Sequence, residues 1–216
     1  MEQTTSKEKI LKKVRAALIF KSKSKYANID LESNVYEQPP AGESILETFA
    51  KNFTETQGQF VVCDNKFDCL DKLLTLIERK KLKNIFCAEN QLQEMLTDSG
   101  IAYLHQKEQL AKAMVGITTC ESLVARTGSI LVSSVRNTRV LTIYPSVHII
   151  IAYSSQVVME IKDSLQQLKN KYGRNMPSMI SYITGPSRTS DIERKLVTGA
   201  HGPKELYVFL IQDVKQ

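Results

Sequence analysis

The sequence predicts an α/β domain built on a mixed sheet, and three observations predict it. From Glu43 onward, segments with helical spacing of apolar residues alternate with short apolar runs of strand length. After Ala113 the apolar runs crowd too closely for a helix to fit between all of them, which calls for antiparallel neighbours. A chain of 216 residues with 42% hydrophobic content also suffices to bury a full core.

Taken in order, Ile10, Leu11, Val14 and Leu18 recur at three- and four-residue steps and predict an N-terminal helix with lysines on its other side. Residues 21–40 lose periodicity and end in Pro39-Pro40, so 1–40 reads as a basic helix and linker arm ahead of a domain over 41–216. The βαβ half follows: a helix on Ile45, Leu46, Phe49 and Phe53, a strand over 60–63, and a helix on Phe67, Leu70, Leu73, Leu74 and Ile77. A strand over 84–87, a helix on Leu92, Met95 and Leu96, and a strand over 101–104 complete it. Gly100 is placed to cap that last helix. In the second half, strands are expected over 113–117, 129–133, 139–143 and 147–153. A long helix through Val157, Val158, Ile161, Leu165 and Leu168 comes next, then a strand over 179–183, a short helix from Ser190, and a final strand over 206–211.

Charge and cysteine placement exclude several function classes. The net charge of +6 comes entirely from residues 1–25, where eight basic side chains face two acidic ones, while the rest of the chain is balanced. A neutral body lacks the sustained basic face that tracks phosphates, so no nucleic-acid partner is expected. No run reaches the ~18 apolar residues of a membrane span and no signal pattern opens the chain, so a cytoplasmic protein is expected. Cys63, Cys69, Cys87 and Cys120 contain no C-x-x-C pair and read as buried thiols in a reducing compartment, with no metal site.

The stretch richest in chemistry is Thr184-Gly185-Pro186-Ser187-Arg188-Thr189-Ser190-Asp191-Ile192-Glu193, which leaves a strand and turns at Gly185-Pro186. Ser190 and Glu193 have the spacing of a capping box, so a helix is expected to begin there with its free amides facing the loop. With Ser187, Thr189 and the forked guanidinium of Arg188 alongside, the loop is a candidate site for a small anion, carboxylate or phosphate. Gly199 and Gly202 are expected to adopt positive φ, with His201 between them as a candidate polar or catalytic partner. Glu121 is the one carboxylate between Glu108 and Glu160, which leaves it either structurally paired or a candidate nucleophile or base. His148, in an apolar strand, reads as a core histidine.

The stretch from Ile183 to Glu193, followed by Gly199-x-His201-Gly202-Pro203-x-Glu205-Leu206, resembles the C-terminal signature of the LUD (lactate-utilisation) domain family. Arg126-Thr127-Gly128-Ser129 and Tyr144-Pro145-x-x-His148-Ile149 are similar to two further motifs of that family, so the resemblance spans about 115–211. It implies a fold similar to the sugar-phosphate isomerase and CoA-transferase-like α/β superfamily. It further implies an accessory or ligand-binding subunit in bacterial oxidation of L-lactate to pyruvate, working beside an oxidoreductase-like subunit and an iron–sulfur subunit. The clusters belong to that partner, and no cofactor is expected on this chain. Thr127, Gly128 and Ser129 join the anion-site candidates on the same ground. One departure stands out: Arg126 occupies a place where the family often has an acidic residue. An acyl- or CoA-transferase-like enzyme using Glu121 is the alternative function, and a subunit that docks through its N-terminal arm onto a partner or a second copy is another.

Overall fold

The computed structural model describes residues 5–19, 42–135, 140–189 and 197–213. The chain divides into two compact units, Met1–Gln38 and Pro39–Gln216. In the first, α1 (Ser6–Ile19) carries the anticipated stripe, and Ile10, Leu11, Val14 and Leu18 are all exposed on it. The linker expected over 21–40 lies outside the described residues.

The second unit is layered. Helix α2 (Ile45–Glu55) opens on a capping box in which Ser44 and Glu47 exchange hydrogen bonds with each other's backbone amides. Then come β1 (Gln59–Cys63), α3 (Lys66–Lys80), β2 (Ile85–Cys87), α4 (Asn90–Asp98), β3 (Val115–Thr119), β4 (Ser122–Val124), β5 (Ser129–Ser133), β6 (Val147–Tyr153) and β7 (Val157–Val158). Helix α5 (Ile161–Tyr172), β8 (Ile180–Ile183), β9 (Arg188–Thr189), β10 (Val197–Thr198) and β11 (Glu205–Ile211) complete the order.

Five strands form a fully parallel sheet in the order β1-β11-β6-β3-β2. Its central strands are apolar on both faces because both are covered. Val147, Ile149 and Ile151 of β6, with Tyr207, Phe209 and Ile211 of β11, pack against Leu73, Leu76, Leu92 and Leu96 of α3 and α4. The alternate residues Ile150, Ala152, Leu206, Val208 and Leu210 pack against Phe49 and Phe53 of α2 and Leu123, Ile130 and Val132 of a second sheet. That second sheet runs β7-β4-β5-β8, mixed in direction.

Outside residues 188–198, four elements differ from the expectations. The strand expected over 101–104 shrinks to one bridge between Phe86 and Leu104, because β2 is three residues long and the chain then turns into a 3₁₀ helix at Lys107–Lys112. Of the strand expected over 139–143, the described residues form a turn, with the amides of Ile143 and Tyr144 both donating to the Val140 carbonyl. Leu141 is buried there between turns of chain rather than in a ladder, where Gly116 admits it. Val157 and Val158 pair with Leu123 and Val124 as a strand, so the long helix starts only at Ile161. Finally, β6 is not an antiparallel neighbour of β5: it sits in the parallel sheet, while β5 takes β4 and β8 as antiparallel partners.

Candidate functional site

The loops that precede β6 and β11 must lie at the amino edge of the parallel sheet, since both strands start there in register, Val147 opposite Glu205. The loop that follows β8 joins them. Ser187 donates its amide to the Pro203 carbonyl at 2.8 Å and accepts from the Gly199 amide at 2.9 Å. The Ser146 carbonyl in turn receives the amides of Lys204 at 2.7 Å and Glu205 at 3.2 Å. Ser146, Ser187, Gly199 and residues 203–205 thereby form one hydrogen-bonded group.

Glycine permits this close packing. Gly185 has φ of 77°, and a Cβ there would stand 2.4 Å from the Thr56 carbonyl oxygen at the end of α2. Gly199 has φ of 79° and lies under the stem of Lys204, whose Cγ would be 2.2 Å from an added Cβ. Gly202 does not share the positive φ expected of it; its lack of a side chain matters because the Ser187 Cβ is 3.1 Å from where its own would be. On the other flank, the Thr184 and Ser129 hydroxyls meet at 2.7 Å. Gly128 sits against the Asn52-Phe53 peptide, with the Asn52 amide donating to the carbonyls of Ala125 and Arg126. Ser129 therefore ties the 184–187 turn to β5, Gly128 packs on α2, and the Thr127 hydroxyl is buried with no hydrogen-bond partner among the described residues.

In front of this group lies an open cleft of about 420 Å³, lined by Tyr144, Ser146, Gly199, His201, Gly202 and Lys204 among others. The amides of Ala200, His201 and Gly202 donate to no acceptor among the described residues. A cleft lined by a turn with free amides, a lysine, a histidine and a serine is suited to an anion. Arg188 does not line the cleft: it pairs across β9 and β10 with Thr198, one residue from Gly199, and its side chain is exposed. Pro186 is buried, and Ser187 and Thr189 are half-buried.

The anticipated helix dipole is not what shapes the described part of this site. Arg188–Thr189 and Val197–Thr198 are paired strands where a loop and a helix end were expected, and Thr189, Val197 and Thr198 are β-branched residues that favour such pairing. Ser190, Asp191 and Glu193, with the capping box, lie outside the described residues. Lys204 and Ser146 line this cleft and were not singled out in the sequence. The available signal was their position, each one residue past a proline in a motif whose variable places carry no chemical constraint.

Glu121 lies elsewhere. It precedes β4 and bonds to β5 at Leu131 and Ser133, the opposite end of that strand from Ser129. Its nearly buried carboxylate accepts from Ser133 at 2.6 Å, from Lys171 at 2.6 Å and from Tyr172 at 2.8 Å. Burial alone would raise its pKa, but Lys171 and the two hydroxyls together hold it below the usual carboxylate range. Arg126 is likewise occupied, its Nε 2.7 Å and a terminal nitrogen 2.6 Å from the Glu160 carboxylate. His148 is fully buried, with Nε2 2.9 Å from the Thr118 hydroxyl, and burial pushes its pKa down to about 4.

The sequence profile of the LUD domain matches residues 46–211, which takes in both sheets and every loop just described. The chain belongs to the LUD domain family. It is 34% identical over 119 residues to the Lactate utilization protein C of Bacillus subtilis, a stretch covering 54% of this chain and 48% of that protein. To the Lactate utilization protein C of Exiguobacterium it is 28% identical over 185 residues, covering 80% of each. The matched stretch thus spans about half the length of the Bacillus relative. A crystal structure of a DUF162 family protein from Deinococcus radiodurans superposes with a TM-score of 0.59 at 15% identity, over 77% of this LUD chain and 96% of that one. At that identity the likeness shows the fold alone. Among the described residues, no helix is long and apolar enough to cross a membrane.

Proposed function

We propose that this LUD chain takes part in lactate utilisation as a subunit that binds a small carboxylate, of the kind L-lactate and pyruvate represent, in the cleft before β11. The observation that carries the reading is the glycine-flanked 199–202 turn, whose amides at 200–202 have no acceptor among the described residues and which lines the same cleft as Lys204 and Ser146. Relatives named for lactate utilisation supply the substrate class. Arg188, exposed outside the cleft lining, adds long-range attraction. The oxidoreductase-like and iron–sulfur subunits remain the partners of this reading, with the clusters on the partner and this chain carrying none. The layered α/β architecture supports membership of the sugar-phosphate isomerase and CoA-transferase-like superfamily.

A transferase using Glu121 is the weaker reading, because the carboxylate is fully engaged by three donors away from the cleft. Calorimetric titration with L-lactate, pyruvate and inorganic phosphate tests the proposal. Saturable binding that weakens about tenfold or more in Lys204→Ala, and less in Arg188→Ala, is expected for a charge-assisted contact. Affinity unchanged in Lys204→Ala, with the fold intact, overturns it. In the native host, loss of the gene is expected to slow growth on L-lactate as carbon source and leave growth on glucose unchanged.

A further inference from the structure

A larger cleft of about 920 Å³ opens at the other edge of the parallel sheet and runs down one side of α4. Four strands deliver residues to it from their carboxyl ends: Lys66 and Phe67 follow β1, Thr119 ends β3, Tyr153 ends β6 and Asp213 follows β11. Crevices outside the carboxyl ends of parallel strands are where α/β sheets commonly hold ligands, and this volume is in the range of small-molecule sites. None of the family motifs reaches it. From the geometry we infer that this cleft is a second ligand site, built for an aromatic organic cation.

Shape and charge both argue for that class. The walls are apolar and partly aromatic: Phe67 and Leu70 on α3 face Leu92 and Met95 on α4, over a floor of Ile151 and Tyr153. Phe67 is 85% exposed, a position in which a ring gains nothing for the fold and is free to stack on a flat partner. The charge is acidic, with Glu94, Asp98 and Asp213 against Lys66. Glu94 and Asp98 are one helical turn apart on α4 and have no ion-pair partner among the described residues. A cation lying between these carboxylates and the Phe67 and Tyr153 rings meets ionic and cation–π attraction together. An anion the size of lactate meets repulsion there, so the two clefts select opposite charges.

The site is also held open in advance. Asp213 accepts from the Ser154 hydroxyl at 2.7 Å and from the amide and hydroxyl of Ser155 at 2.9 and 2.6 Å. Gln156 accepts from the Tyr153 amide and donates to the Cys120 carbonyl, both at 2.8 Å. Thr119 is fixed by the Glu89 carboxylate through its amide at 2.7 Å and its hydroxyl at 2.5 Å. Side chains already locked lose little entropy when a ligand arrives.

The test uses two planar dyes on the full chain, cationic thioflavin T and anionic anilinonaphthalene sulfonate, followed by fluorescence. Saturable one-to-one binding of thioflavin T, tighter than that of the anionic dye, is expected. Phe67→Ala is expected to weaken it about tenfold, and Glu94→Lys with Asp98→Lys to weaken it about tenfold or more while favouring the anionic dye. Lys204→Ala, in the other cleft, is expected to leave it unchanged, which separates this inference from the carboxylate site. All three altered α3 and α4 positions are exposed, so far-UV circular dichroism and melting are expected to match the parent. Absence of saturable thioflavin T binding, equal or tighter binding of the anionic dye, or indifference to Phe67→Ala and the charge reversals would each overturn the inference.

Discussion

Lowering the pH from 7.5 to 5 is expected to destabilise the domain through His148. The ring lies in β6 at the centre of the parallel sheet with no exposed surface, its Nε2 bonded to the Thr118 hydroxyl and its Nδ1 unpaired among the described residues. Burial lowers its pKa from 6.5 to about 4. The unfolded chain therefore takes up a proton that the folded chain refuses. The associated stability is fully present above pH 6.5 and drains away as pH falls toward 4. The shift amounts to about 3 kcal/mol when complete, of which about 2 kcal/mol is gone by pH 5. With a urea slope of about 2 kcal/mol per molar, the unfolding midpoint should fall by about 1 M between pH 7.5 and 5. His148→Gln keeps a hydrogen-bonding partner for Thr118 without titrating, so its midpoint should be nearly flat over that window. Carboxylates held below their usual range, such as Glu121, act at lower pH and do not mask the effect. A parent midpoint that is the same at both pH values, or a variant that falls as steeply, would refute the reasoning.

Three further outcomes are expected. Gly185→Ala forces a left-handed φ on a residue with a Cβ and drives that atom into the Thr56 carbonyl, so a loss of about 2 kcal/mol or more is expected as a fall in melting temperature. Glu121→Gln keeps the shape but removes the charge facing Lys171. Because Lys171 is 42% exposed and the pair is partly screened, a cost of about 1 kcal/mol is expected near pH 7. That cost should fade as pH drops through the lowered carboxyl pKa, when the parent also loses the charge. A double-mutant cycle on Arg126 and Glu160, both about four-fifths buried, should return a favourable coupling of about 1–2 kcal/mol. Zero coupling would show that the pair adds nothing to the stability of the fold.

Legibility in the sequence followed the range of the interactions. The α3 and α4 spacings and the β1, β5, β6 and β11 runs were readable because each reports burial of its own side chains. Residues 140–143 and 157–158 misled because β-branched and apolar residues look alike whether they line a ladder, a turn or a helix face. What separates these cases is the partner strand, Leu123-Val124 for Val157-Val158 and none for the turn at Val140. At the site, the glycines of the motifs were legible as places of tight backbone. That Gly202 yields to Ser187 and Gly199 to Lys204 was not, because those contacts cross the chain.

By itself the sequence determined the α/β class, the alternation of the first half and the family, since each follows from local periodicity or a short run of residues. Only the tertiary structure decided that β6 joins the parallel sheet, that Glu121 is spent on Lys171 at the other end of β5 from Ser129, and that two clefts of opposite charge lie at opposite edges of one sheet. The reason is that strand pairing and ion pairing are choices among distant partners. Local residue types limit those choices, and the packing of the whole core makes them.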